Sequence, residues 1–120
     1  MKGGSRRRPE QVGEIVRQVL AEAITREVRD PRVGFVTVTR VDVSGDLSHA
    51  NVFIMAQGEE PEREKALEGL KSAAGFLRGK VAKALATRTI PELHFQLDRG
   101  LEHAQRINAV LADLKREPVD

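Results

Sequence analysis

The sequence predicts an α+β fold, a three-stranded sheet with helices on one face, and three observations carry that prediction. The apolar residues of the first third recur at helical spacing. Two β-branched runs follow, separated by a turn-forming segment. A second helical stretch then leads to one more alternating run before the chain turns helical again. With 120 residues, 40% hydrophobic and 32% charged, this is one domain with short tails, able to bury a modest core.

The first helix is read from Pro9 to Val28, with Val12, Ile15, Val16, Val19, Leu20, Ala23 and Ile24 on one stripe and Pro9 in the first turn. Asp30-Pro31 closes it, because a residue before proline is driven out of the helical region. Phe35 to Val43 is β-branched nearly throughout and reads as a strand. Ser44-Gly45-Asp46-Leu47-Ser48 supplies turn chemistry. Ala50 to Ala56 forms the partner strand, with Ala50, Val52 and Ile54 on one face and Asn51, Phe53 and Met55 on the other. The short connection makes the pair antiparallel.

Gln57-Gly58 and Pro61 open a helix that runs to about Ala73, with Ala66, Leu67 and Leu70 inward. After Ala73-Ala74-Gly75 a second helical pattern uses Leu77, Val81, Ala84 and Leu85. Glycine inside a helix costs ~1 kcal/mol relative to alanine, so the spacing predicts a kink near Gly75. Leu93, Phe95 and Leu97 alternate with His94 and Gln96 as a third strand. Leu101 to Lys115 is a weaker amphipathic helix at the C-terminus. The division expected is a basic arm over 1–8, a core domain over 9–98, and a C-terminal helix and tail over 99–120.

Composition removes several function classes. No apolar run approaches the ~20 residues of a membrane span. The basic start, Lys2, Arg6, Arg7 and Arg8, has no apolar stretch after it and is not read as a secretory signal, so a cytoplasmic address is expected. Cysteine is absent, which excludes disulfides, thiolate metal sites and cysteine nucleophiles together. His49, His94 and His103 show none of the helical spacing of a metal pair, so no metal or other cofactor is expected. No nucleophile-elbow or P-loop glycine pattern accompanies the serines, and an enzyme is not expected.

Charge distribution is more telling than the net charge of +2. From Lys71 to Ile90 the basic residues Lys71, Arg78, Lys80, Lys83 and Arg88 meet no acid. The approach from Glu59 to Glu68 is dominated by glutamate. A basic helix starting at a kink presents a local positive field to a polyanion backbone. A solvated helix face is the competing explanation for the same residues. Arg6, Arg7 and Arg8 read as a basic arm or as a solubilising start. Arg32 flanks the helix-to-strand turn, where Asp30 offers it an ion pair instead of RNA. Phe76 beside Leu77 reads as core, with base stacking the alternative.

The order α-β-β-α-kink-α-β is that of a type II KH domain, a reader of single-stranded nucleic acid. An RRM requires a strand before its first helix and aromatic residues on adjacent strands, and this chain has neither. Gly-x-x-Gly, the usual KH loop, is also missing. Ala73-Ala74-Gly75-Phe76-Leu77-Arg78 stands in its place. Together with the segments Glu27 to Thr39, Asp46-Leu47-Ser48-His49-Ala50 and Arg88 to Phe95, it resembles the ribosome-binding factor A family. The resemblance spans Arg8 to Leu111, in four motifs in matching order.

The resemblance implies a non-catalytic, cytoplasmic assembly factor of the small (30S) ribosomal subunit. It implies binding to immature subunits, help in 16S ribosomal RNA maturation and 5′-end processing, adaptation to cold, and release promoted by an assembly GTPase. A monomer is expected. A protein-interaction module without direct RNA contact remains the alternative, and a small hydrolase a more distant one.

Overall fold

The structure is a computed structural model that describes residues 8–86 and 88–100. Its elements are α1 (Pro9–Arg26), β1 (Val36–Val43), β2 (His49–Ala56), α2 (Glu60–Ser72), α3 (Ala74–Leu85) and β3 (Glu92–Leu97). The sequence-predicted C-terminal helix from Leu101 to Lys115 lies outside the described residues. No described helix is long and apolar enough to cross a membrane.

Strand order is β1-β2-β3, with β1 antiparallel to β2 and β3 parallel to it. A parallel neighbour needs a long crossover, and α2 with α3 provides it. This is the α+β, KH-like arrangement expected from the sequence. The three helices cover one face of the sheet. Val12, Val16 and Leu20 of α1, Val52 and Ile54 of β2, Leu70 of α2, and Leu77 and Val81 of α3 are essentially inaccessible to solvent. Strand alternation leaves Asn51, Phe53 and Met55 on the opposite face, together with Glu92, His94 and Gln96.

Local chemistry sets the boundaries. The Gln11 side chain accepts the Arg8 N–H at 3.1 Å and Pro9 fills the first turn of α1. That helix ends two residues earlier than the periodicity suggested, because the N–H groups of both Glu27 and Val28 turn back to the Ala23 carbonyl. The Glu62 carboxylate caps α2 through the Glu59 N–H at 2.7 Å. Gly13 is buried where a Cβ would sit 2.9 Å from the Val41 carbonyl oxygen, so α1 rests directly on the backbone of β1.

Strand β1 carries a bulge between Val38 and Arg40. Thr39, at the bulge, donates its hydroxyl to Asp98 Oδ2 at 2.6 Å, beyond the end of β3. The β1–β2 turn is organised by Asp46, whose Oδ1 accepts the hydroxyls of Ser44 and Ser48 at 2.7 and 2.6 Å. These bonds, the Ser48 hydroxyl foremost, hold the Asp46 carboxyl far below the ordinary aspartate range.

Candidate nucleic-acid interface

The helix break is at Ala73, the first of the three small residues Ala73-Ala74-Gly75 expected to form the kink. Ala73 has φ −90° and ψ 2°, in the bridge region at the edge of the helical well, and it is at once the C-terminal cap of α2 and the N-terminal cap of α3. Its N–H reaches the carbonyls of Gly69 and Leu70 at 3.1 and 3.0 Å, while its own carbonyl accepts the Leu77 N–H at 2.9 Å. Ala73 and Ala74 are half-buried against the core. Gly75 lies inside the first turn of α3, exposed, with nothing within 4 Å of where a Cβ would stand. Gly79, one turn on, is equally open. Sequence reasoning passed over Gly79. Its spacing of four from both Gly75 and Lys83 was the available signal, since it places all three on one stripe.

The basic residues divide by what they touch. Arg32 is bound at the α1–β1 turn: its guanidinium bridges to Asp30 at 2.6 Å and to the Ser72 hydroxyl at 3.2 Å. It thus ties that turn to the end of α2. The Arg32 guanidinium, with the Arg32 backbone N–H, lowers the Asp30 carboxyl from 3.8 to about 2. Arg78 donates to two backbone carbonyls, Ile90 at 2.8 Å and Pro91 at 3.3 Å, fastening the α3–β3 loop to α3. Lys80 pairs with Glu27 at 2.6 Å and stands 5.4 Å from the Phe76 ring centroid.

The pairing of Lys80 corrects the inference that nothing neutralises the 71–90 stretch. The neutralising acid comes from the end of α1, far away in sequence. Lys71, Lys83 and Arg88 are exposed, and among the described residues none of them makes a hydrogen bond or ion pair. Lys71 sits in the last turn of α2, where a cation complements the helix dipole. Arg8 is exposed ahead of α1, while Arg6 and Arg7 lie outside the described residues.

Phe76 departs from the core position expected of it. Its side chain is 50% exposed, on a groove of about 270 Å³ shared with Val28, Arg29, Asp30, Gly69 and Ser72. The exposed face at the start of α3 therefore combines an accessible aromatic ring, two open glycines and Lys83. These are the kinds of groups, an aromatic ring and an exposed cation, that meet bases and phosphates in nucleic-acid interfaces.

One group of metal-ligating side chains exists among the described residues, His49, Glu92 and His94, at the start of β2 and β3. It lies on the sheet face that the helices leave uncovered, separate from the basic face of α3.

Comparisons with known proteins bear on the fold and the family. A sequence description of the family named ribosome-binding factor A matches residues 8–111. The ribosome-binding factor A of Thermomicrobium roseum is 51% identical over 110 residues, covering 92% of this chain and 85% of that protein. The crystal structure of ribosome-binding factor A from Thermus thermophilus superimposes with a TM-score of 0.67 at 32% identity, covering 77% of this chain and 98% of that one. A homology model of the Thermus thermophilus ribosome-binding factor A, fitted into a cryo-EM map of its complex with the 30S subunit, superimposes with a TM-score of 0.59 at 34% identity. The match covers 70% of this chain and 88% of that one.

Proposed function

The chain belongs to the ribosome-binding factor A family, and from that premise we propose that it is a non-catalytic assembly factor of the small ribosomal subunit. It binds free, immature 30S subunits in the cytoplasm and assists maturation and 5′-end processing of 16S ribosomal RNA. An assembly GTPase promotes its release. The protein acts as a monomer and supports growth in the cold.

The observation that carries this reading is the face around Ala73. Lys71, Lys83 and Arg88 are exposed with no protein partner among the described residues, and α3 also exposes Phe76 and leaves open space at Gly75 and Gly79. Phosphates supply the missing partners. Arg32 and Arg78 serve chiefly to fix the turns on either side of that face. Lys80 is intermediate. Its pair with Glu27 is surface-exposed, of a kind worth ~0–1 kcal/mol, so a phosphate can compete with the carboxylate for it. Arg6, Arg7 and Arg8 add a basic arm.

Binding shifts an RNA equilibrium only through differential affinity, so the face must fit one arrangement of the ribosomal RNA better than another. With Ala-x-Gly in place of Gly-x-x-Gly, shape and phosphate geometry carry recognition more than base identity.

Sedimentation of cell extract on density gradients at two salt concentrations tests the proposal. The protein should travel with free small subunits at low salt and leave them at high salt, since each neutralised phosphate steepens the log–log salt dependence by ~0.7–0.9. The Lys71→Glu/Lys83→Glu double variant should remain at the top of the gradient in both. Association unchanged in that variant would favour a protein-interaction module instead.

A further inference from the structure

His49 is the first residue of β2 and Glu92 the first of β3, and the parallel register sets them opposite each other. His94, two residues along β3, projects from the same face as Glu92. The result is two imidazoles in direct contact, with His49 Nδ1 2.9 Å from His94 Nε2 and ring centroids 5.1 Å apart. One carboxylate oxygen of Glu92 joins them, and the three ligand atoms all lie within 4.8 Å of one another.

We propose that His49, His94 and Glu92 form a site for one divalent transition-metal cation, with Zn²⁺ the best match. Two imidazole nitrogens and a carboxylate are the donor set that borderline cations prefer, with bonds of ~2.0–2.2 Å. At those lengths two nitrogens of a tetrahedral site stand ~3.3 Å apart. The His49 Nδ1–His94 Nε2 separation of 2.9 Å is within about half an ångström of that value.

The scaffold is already fixed. The His49 N–H donates to Ser44 Oγ at 3.0 Å and its carbonyl accepts the Ser44 N–H at 2.9 Å. The Glu92 N–H donates to the Ser48 carbonyl at 2.9 Å. All three ligands therefore stand on paired strands rather than on a free loop, which favours a defined geometry. Asp46, anchored by the Ser44 and Ser48 hydroxyls, organises the turn that leads into His49. A bound cation would clamp the start of β3 to β2, at the edge of the sheet, where among the described residues β3 has no other strand beside it. Protein donors fill three coordination positions, leaving the fourth for water or a ligand oxygen.

Calorimetric titration of the full-length, tag-free, chelator-stripped protein with zinc chloride at neutral pH tests the site. One ion should bind per chain. His49→Gln and His94→Gln should each weaken binding about tenfold or more, and His103→Gln should leave it unchanged. Because a variant can fail for structural reasons, the unaltered chain gives a second readout: zinc should shift the NMR ring signals of His49 and His94 and not those of His103. Saturating zinc should also raise the thermal midpoint of the unaltered protein and not that of the His49→Gln/His94→Gln double variant. Zinc affinity in the double variant within about threefold of the unaltered chain, or ring shifts confined to His103, would overturn the proposal.

Discussion

Helices α2 and α3 adjoin at Ala73 and face the same core, yet they use their charges in opposite ways. The glutamates of α2 are put to work inside the protein. Glu62 caps the helix, and Glu60 and Glu64 both pair with Arg99. Acids in its first turn also complement the helix dipole. Helix α3 has no acid. Arg78 is engaged by backbone carbonyls and Lys80 by Glu27, but Lys83, with Lys71 before the break and Arg88 after the helix, has no such bond among the described residues. The number of basic residues therefore overstates the surface offered to a polyanion. What matters is how many cations the fold leaves without a partner.

If the two helices differ in charge but not in packing, truncating the core of either should cost the same. Leu70→Ala in α2 and Leu77→Ala in α3 remove fully buried side chains, and each should lower unfolding free energy by ~2–5 kcal/mol in urea denaturation. A much smaller effect at Leu77 would mean that α3 is less firmly docked than α2.

The glycines sharpen the contrast. Gly69 in α2 is buried where a Cβ would meet Val33 Cγ2 at 2.8 Å, so Gly69→Ala should destabilise by ~1–3 kcal/mol. Gly75 and Gly79 in α3 meet nothing. Alanine at either should stabilise by ~0.5–1 kcal/mol while weakening association with small subunits, since each adds a methyl where RNA approaches. Stabilisation with unchanged association would show that the open stripe has no part in binding.

The smallest effect concerns the turn beside this face. The Asp30 carboxyl, held at about 2 by Arg32, has a folded value below its ordinary 3.8. Its contribution to stability is thus complete above about pH 4 and fades as pH falls through 2. Glu14, Glu60 and Asp98 are lowered as well and act in the same direction. Asp30→Asn should flatten the acid limb of the stability profile without changing the shape of its neutral plateau. An identical acid limb in the variant would show that the Asp30–Arg32 pair contributes nothing.

Much of the fold was legible because apolar spacing is a local signal. The stripe from Val12 to Ile24 and the alternation of Ala50, Val52 and Ile54 each name their buried face without knowledge of the partner. The break was legible as the segment Ala73-Ala74-Gly75, its exact residue less so. Propensity points to Gly75, but the docking of Leu70 and Leu77 into one core fixes the turn at Ala73, an otherwise good helix former. The site was only half legible. That Lys71, Lys83 and Arg88 are basic is plain from the chain. That Lys80 meets Glu27, that Thr39 reaches Asp98, and that His49 touches His94 depends on segments brought together by folding, which no spacing along the chain reveals. Phe76 was misplaced for a related reason: its neighbour Leu77 turns inward, and one step around a helix is enough to put the ring outside.

Comparing Lys83→Ala with Lys80→Ala tests most directly whether cations without a protein partner are the ones that hold RNA. Affinity for purified small subunits would be measured across a series of salt concentrations. Lys83→Ala should make the log–log slope shallower by ~0.7–0.9, as expected when one fewer phosphate is neutralised, while Lys80→Ala should change it less. Slopes equal to that of the unaltered protein in both variants would contradict the account.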